Sequence, residues 1–326
     1  MPAKTAYDGM IVIDGLIISK FSRAVFKDMR KGGLTAANCT CSVWEDFEGT
    51  MRNVAAWNRM FRENADLVMP VRTTKDILKA KKAGKTGIIL GFQNISAFED
   101  QIGYVQLFKD VGVGVAQMAY NTQNLCTTGC YESVDRGLSD FGREVVAEMN
   151  RVGIMCDLSH VGSKSSDDVI RASKKPVCYS HVCPSALKKH PRNKSDEELR
   201  FIVQKGGFVG VTMFPPFLAK GNAATVDDYV ATIDYVIKIC GEDQVGVGTD
   251  FTQDQDEAFF SWLTHDKGYA RELVKFAPIQ NPKGIRRIGD FPNLMRAMQK
   301  ARWPARKIEK VMGENWVAIL KEVWGA

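Results

Sequence analysis

Several familiar signatures are missing from this chain, and each absence removes a class of function. No GxGxxG run follows an apolar stretch: in Gly112-Val113-Gly114 the third glycine would fall at Gln117. A GxxxxGK[ST] loop is absent too, so neither a dinucleotide cradle nor a P-loop is available. No GxSxG elbow is present, which argues against an α/β-type serine hydrolase. No apolar run approaches the ~20 residues that cross a bilayer, and residues 1 to 10 are mostly polar. These features predict a cytoplasmic protein with no membrane partner. Cys126 and Cys130 are spaced CxxxC without a matching second pair, so a zinc knuckle is not expected. Four of the eight cysteines (Cys39, Cys41, Cys156 and Cys178) lie in apolar runs, where a reduced thiol packs as a small hydrophobe. Charge is not concentrated either. The net charge is +6, and the densest basic cluster, Lys79 to Lys85, falls on a predicted helix and its turn, as a solvated face would. Nucleic acid is therefore not an expected partner. With no Pro/Gly/Ser-rich linker or composition break, residues 1–326 read as one domain.

What the chain does have is a rhythm. Eight short apolar runs cover residues 11–14, 34–43, 87–93, 113–120, 154–160, 176–181, 207–214 and 245–250, most ending in a polar or ionisable residue. Helical spacing fills the intervals at 21–31, 48–64, 73–83, 101–111, 139–152, 163–173, 195–205 and 226–240. A parallel strand needs a crossover to reach its neighbour, so eight such units predict an α/β fold of the (β/α)8 (TIM) barrel type. An irregular rim or lid segment is expected over 252–292, interrupted by Pro278, Pro282 and Pro292, followed by a C-terminal helical extension over 293–323.

In such a barrel the C-terminal strand ends share one rim. Asp157-Leu158-Ser159-His160, Ser180-His181 and Gly248-Thr249-Asp250 all end predicted strands. Two imidazoles and a carboxylate on one rim suit a zinc-like ion, or acid–base work without one. For a lone histidine, a hydrogen bond to loop backbone is the plainer explanation; two at equivalent strand ends favour function. His190 and His265 fall in predicted loops and are read as packing or surface residues. Arg192, in the loop after His181, could grip a substrate carboxylate or simply cap the next helix. Tyr120-Asn121-Thr122-Gln123-Asn124 forms a polar loop able to position a ligand, or an ordinary turn.

With these motifs, together with Pro176 to His181, Arg192-Asn193 with Asp196, and Gly246-Val247-Gly248-Thr249-Asp250-Phe251, the chain resembles the membrane (renal) dipeptidase family of metallopeptidases over nearly its whole length. The resemblance implies a barrel with two zinc ions on its rim, hydrolysing dipeptides and some β-lactam-like amides through a metal-bridging water. It implies that His160 and His181 ligate the second metal, that Asp250 serves the first metal and proton transfer, and that Arg192 binds the substrate carboxylate. A homodimer follows from the same resemblance. The pattern departs at the other half of the site. The family's strand-one motif, DGHxD, reads Asp14-Gly15-Leu16-Ile17-Ile18, the bridging glutamate is replaced by Gln93, and a histidine is replaced by Tyr120. Aliphatic side chains cannot coordinate, and a neutral amide is a poor bridge between divalent cations.

Three readings follow. One is a hydrolase of a dipeptide or other small amide with one zinc ion on His160, His181 and Asp250, and with Arg192, Tyr120, Asn121 and Gln93 around the substrate. The second is a metal-free enzyme of the same fold. The third is a non-catalytic binder of a small cationic, betaine-like metabolite, caged by Trp44, Phe92, Tyr120, Phe214 and Phe251.

Overall fold

The computed structural model describes residues 6–325; residues 1–5 of the polar start, and Ala326, lie outside the described residues. Nine parallel strands form one sheet: β1 Ile13–Ile17, β2 Ala36–Ser42, β3 Val68–Pro70, β4 Thr86–Phe92, β5 Val113–Gln117, β6 Met155–Asp157, β7 Cys178–Val182, β8 Phe208–Val211 and β9 Val245–Val247. The order is β1-β2-β4-β5-β6-β7-β8-β9, and β3 stands off this path, paired only with β4. Eight strands therefore make the nearly closed barrel, each at one of the eight apolar runs. β1 and β9 meet through an Ile17–Phe251 bridge, with Ile18 N donating to Phe251 O at 2.9 Å and Asp250 N to Leu16 O at 3.0 Å.

The ninth strand corrects the sequence reading. β3 pairs at Thr86 to Ile88, the first half of β4, and β5 pairs at Leu90 to Phe92, the second half. Three residues carry no legible period, and β3 exists because β5 leaves that stretch of β4 unpaired.

All eight crossover helices form where expected, and their ends follow local chemistry. Thr73 accepts from Asp76 N while the Asp76 carboxylate accepts from Thr73 N, a capping box, and Gly84 ends that helix in the left-handed conformation at φ 66°. Ser195 and Glu198 repeat the device at the helix Asp196–Gln204. The C-terminal extension ends in the helix Asn315–Trp324. Its Trp316 packs on Phe208 at 4.3 Å and donates to Val247 O at 2.8 Å, beside a cluster that includes Ile13, Ala36, Met155 and Cys178. These residues begin their strands, so the extension closes the barrel floor. Gly15, Gly210 and Gly246 leave room for the Trp316 indole; a Cβ at any of them would run into it.

The segment 252–292 is irregular apart from short 3-10 turns at Asp266–Gly268 and Ile288–Asp290 and one α-helix the sequence reading missed, Glu257–Thr264, capped by Asp256. It reaches across the rim, where Thr122 Oγ1 donates to Asp266 at 2.9 Å. All eight cysteines are free thiols, and no helix of the described residues is long and apolar enough to cross a membrane.

Candidate active site at the strand C-termini

The end of β6 is organised by a buried carboxylate. Asp157 accepts from Ser159 N at 3.0 Å, Ser159 Oγ at 2.6 Å, Ser180 N at 2.9 Å and Ser180 Oγ at 2.5 Å, tying β6 to β7. Ser180 Oγ lies 2.7 Å from His181 Nδ1, His181 Nε2 lies 3.0 Å from His160 Nε2, and His160 Nδ1 lies 2.7 Å from Asn121 Oδ1. The result is one continuous chain, Asp157–Ser180–His181–His160–Asn121.

Proton counting constrains it. If Asn121 Oδ1 accepts, His160 carries its proton on Nδ1 and its Nε2 must accept from His181 Nε2–H. The Ser180 hydroxyl has one proton to give. Either it goes to Asp157 and His181 is cationic, or it goes to His181 Nδ1 and the Asp157 carboxyl donates to Ser180. Burial and then Arg192 push both imidazoles well below the usual histidine range, and burial raises Asp157. Both shifts act in the direction of the uncharged arrangement.

Arg192 is not the surface or helix-capping arginine that was one of its two readings. It is 1% exposed, its Nη1 donates to Ser159 O and its Nη2 to His181 O at 3.2 Å, and its guanidinium packs over Phe217 at 5.0 Å. Its Nε has no partner. The loop bonds thus fix the group while one donor stays open.

Tyr120 stacks on His160 with centroids 4.1 Å apart, and Asn121, at φ 61°, holds a left-handed backbone that a non-glycine residue seldom adopts. Asp250 shares that strain at φ 62°. Asp250 is 8% exposed, and among the described residues its carboxylate makes no hydrogen bond or ion pair. Burial raises it to about 6, with Arg192 pulling the other way. Gln93, at the end of β4, donates to Thr40 Oγ1 at 2.9 Å.

Gln93, Tyr120, Asn121, His160, Arg192 and Asp250 line one pocket. Its free space is about 410 Å³, counting the mouth. His181 stands behind His160 rather than on the wall. Ile18, Tyr131, Phe214, Phe217, Leu263 and Phe276 supply apolar surface, and the Tyr131 hydroxyl is buried without a partner. Of the five aromatics proposed as a cage, only Tyr120 and Phe214 face this space. Phe92 packs on Phe108 and Phe251 on Phe291, in the core, while Trp44 sits edge-on behind Tyr120. A strand-end position alone did not say which face a side chain takes. Phe217 and Phe276 were missed; the only signal for Phe276 was its place in the expected lid. His190 packs against Phe217, and His265 Nδ1 lies 2.6 Å from Ser261 O, as loop residues do.

A dinuclear metal centre does not fit these residues. Leu16 and Ile18 are buried aliphatics, and Gln93 and Tyr120 are neutral. The two imidazole Nε2 atoms face each other, but among the described residues no group of three or more His, Cys, Asp or Glu could hold an ion. A catalytic zinc takes three protein ligands, and this set is one short.

The comparisons with known proteins agree with the geometry. Residues 21–278 match the membrane dipeptidase family (peptidase family M19), and the chain belongs to it. It is similar to the uncharacterized dipeptidase C965.12 of Schizosaccharomyces pombe, 29% identical over 246 residues, covering 73% of this chain and 53% of the relative. Dipeptidase tcpJ of Claviceps purpurea is 26% identical over 277 residues, covering 84% and 60%. The chain thus spans little more than half the length of these relatives. A solved structure of an amidohydrolase from Pseudomonas aeruginosa is 66% identical, covers 98% of both chains and superposes with a TM-score of 0.97.

Proposed function

We propose that this chain hydrolyses a dipeptide or another small amide, as one barrel domain in the cytoplasm, with at most one metal ion. The observation that carries the reading is the enclosed rim pocket in which Arg192, His160 and Asp250 meet among aromatic walls. Its apolar walls with a few convergent polar groups suit a small ligand, and membership of the dipeptidase family supports amide hydrolysis. Zinc, where the family uses it, supplies an activated water; with two imidazole donors present, the roles below are assigned to the chain's own groups.

Arg192 positions the substrate carboxylate through its open Nε edge, its other donors being fixed by Ser159 O and His181 O. Asp250, ionised above about pH 6 and free of partners, accepts a proton from water. His160 is held by Tyr120, Asn121 and His181 with both ring nitrogens engaged, so its ring orients the substrate on the pocket wall, and the proton that Asp250 takes from water is the one it returns to the leaving amine. Gln93 and Asn121 offer amide groups to the substrate backbone.

Release of free amino acid from alanylalanine-type dipeptides by purified protein, with and without added zinc, tests the reading. Turnover is expected, falling at least a hundredfold on Asp250→Asn. No release across a broad panel in either condition rejects hydrolysis, and two equivalents of bound metal reject the metal count. The unpartnered Asp250 also supports a second reading, a non-catalytic binder of a cationic metabolite; ligand-induced thermal stabilisation without turnover would select it. Pairing into a homodimer belongs to the proposal and is checked by light scattering.

A further inference from the structure

Asp250 is an unusual group to leave alone. An aspartate that is 8% exposed normally finds hydrogen-bond donors or a cation, and the other buried aspartates among the described residues do: Asp14 takes Thr249 and Leu16, and Asp157 takes Ser159 and Ser180. Asp250 takes none, although its backbone is held in a left-handed conformation that a non-glycine residue seldom adopts. The neighbouring strand offers only Leu16 and Ile18. The same pocket is lined by Tyr120, Phe214 and Phe276, whose rings present negative faces, and by Thr252, Thr264, Gln93 and Asn121, none of which hydrogen-bonds the Asp250 carboxylate. Arg192, the one guanidinium among the residues lining this pocket, is bound to loop carbonyls and makes no ion pair with Asp250.

We propose that the pocket takes a small zwitterion whose own cationic nitrogen rests on Asp250, on the side of the pocket walled by the aliphatic Ile18, while its carboxylate meets Arg192. The nitrogen is either a primary ammonium or an N-methylated one; both satisfy a carboxylate flanked by aromatic rings. One carboxylate oxygen suffices for it, and the other stays available to a water. The inference rests on the pocket being the substrate site but does not require hydrolysis.

The test uses probes with no amide to cleave. 5-Aminopentanoate has the length of a glycyl dipeptide between its charges, 5-(trimethylammonio)pentanoate carries the methylated cation, and pentanoate keeps only the carboxylate. Binding is measured by calorimetry on the full chain after metal chelation, with circular dichroism confirming the fold. At least one cationic probe is expected to bind tenfold or more tightly than pentanoate, and the tighter of the two identifies the nitrogen class. Asp250→Asn, whose side chain tolerates the left-handed backbone, is expected to remove the difference while pentanoate binding stays the same. Equal affinity for all three probes, no binding of either cationic probe, a preference that survives Asp250→Asn, or a preference seen only with added zinc would each overturn the proposal. Failure to hydrolyse dipeptides with the cation preference intact would reject the hydrolase reading alone.

Discussion

Two edges of the barrel carry the same device with different outcomes. At β6–β7, buried Asp157 accepts from Ser159 N two residues on, and from Ser180 N and Oγ across the strands. At β9–β1, buried Asp14 accepts from Leu16 N two residues on at 3.2 Å, and from Thr249 N and Oγ1 across the strands at 2.8 and 2.5 Å. Both aspartates stitch neighbouring strand ends, and burial raises both. Beyond the stitch the edges diverge. The first continues into Ser180, His181 and His160, whereas the second ends in Leu16, Ile18 and a solitary Asp250. The stitch is therefore part of the fold, and the chemistry is an addition that each edge can keep or lose. A barrel can change the polar groups at one edge without losing its closure because different atoms do the two jobs.

The largest effect on this contrast should come from rebuilding the altered edge. The variant Leu16→His, Ile18→Asp, Gln93→Glu, Tyr120→His restores the family's ligand types and is expected to bind about two equivalents of zinc by metal analysis, against at most one for the parent. Its thermal midpoint should fall without zinc, because unpaired polar groups are then buried, and recover with it. The same variant failing to gain metal would show that the two edges differ in backbone as well as in side chains.

Breaking the intact edge should cost somewhat less. Arg192→Ala leaves Ser159 O and His181 O buried without their donor, a penalty of about 1–3 kcal/mol each. Denaturant unfolding should report a loss of about 2–6 kcal/mol, whereas Tyr120→Phe, on the altered edge, should stay within about 0.5 kcal/mol.

The smallest effect concerns the stitch itself. Asp14 is raised to about 7 by burial, from an ordinary carboxyl value near 4. A raised carboxyl binds its proton more tightly in the folded state, so its contribution is whole below about pH 4 and is lost as pH rises through about 7. Asp14→Asn should therefore gain on the parent as pH climbs across that window, by about 1.4 kcal/mol per pH unit at most and about 2–4 kcal/mol in total. Paired unfolding curves at pH 4 and 8 check this; a constant difference would mean that Asp14 stays ionised inside the fold.

Much of this was legible in the residues alone. The eight apolar runs, their helices and the caps at Thr73 and Ser195 are local patterns, and local chemistry settles them: continuous apolar runs for strands buried on both faces, capping hydroxyls and a glycine where φ turns positive. The departures at Leu16, Ile18, Gln93 and Tyr120 were legible too, because an aliphatic or neutral side chain cannot ligate wherever it is placed. Only the tertiary structure could decide the rest. β3 forms because β4 had a free stretch, and the helix Glu257–Thr264 belongs to a lid whose periodicity is too short to stand out. Phe92 and Phe251 turn into the core while Phe217 and Phe276 turn to the pocket, since facing depends on what packs behind each strand. Arg192 is buried because two carbonyls, Ser159 O just beyond β6 and His181 O in β7, converge on it. Asp250 is left unpaired for the same kind of reason: a partner is a property of the neighbours in space, and neighbours 90 or 230 residues away are chosen by closure of the barrel.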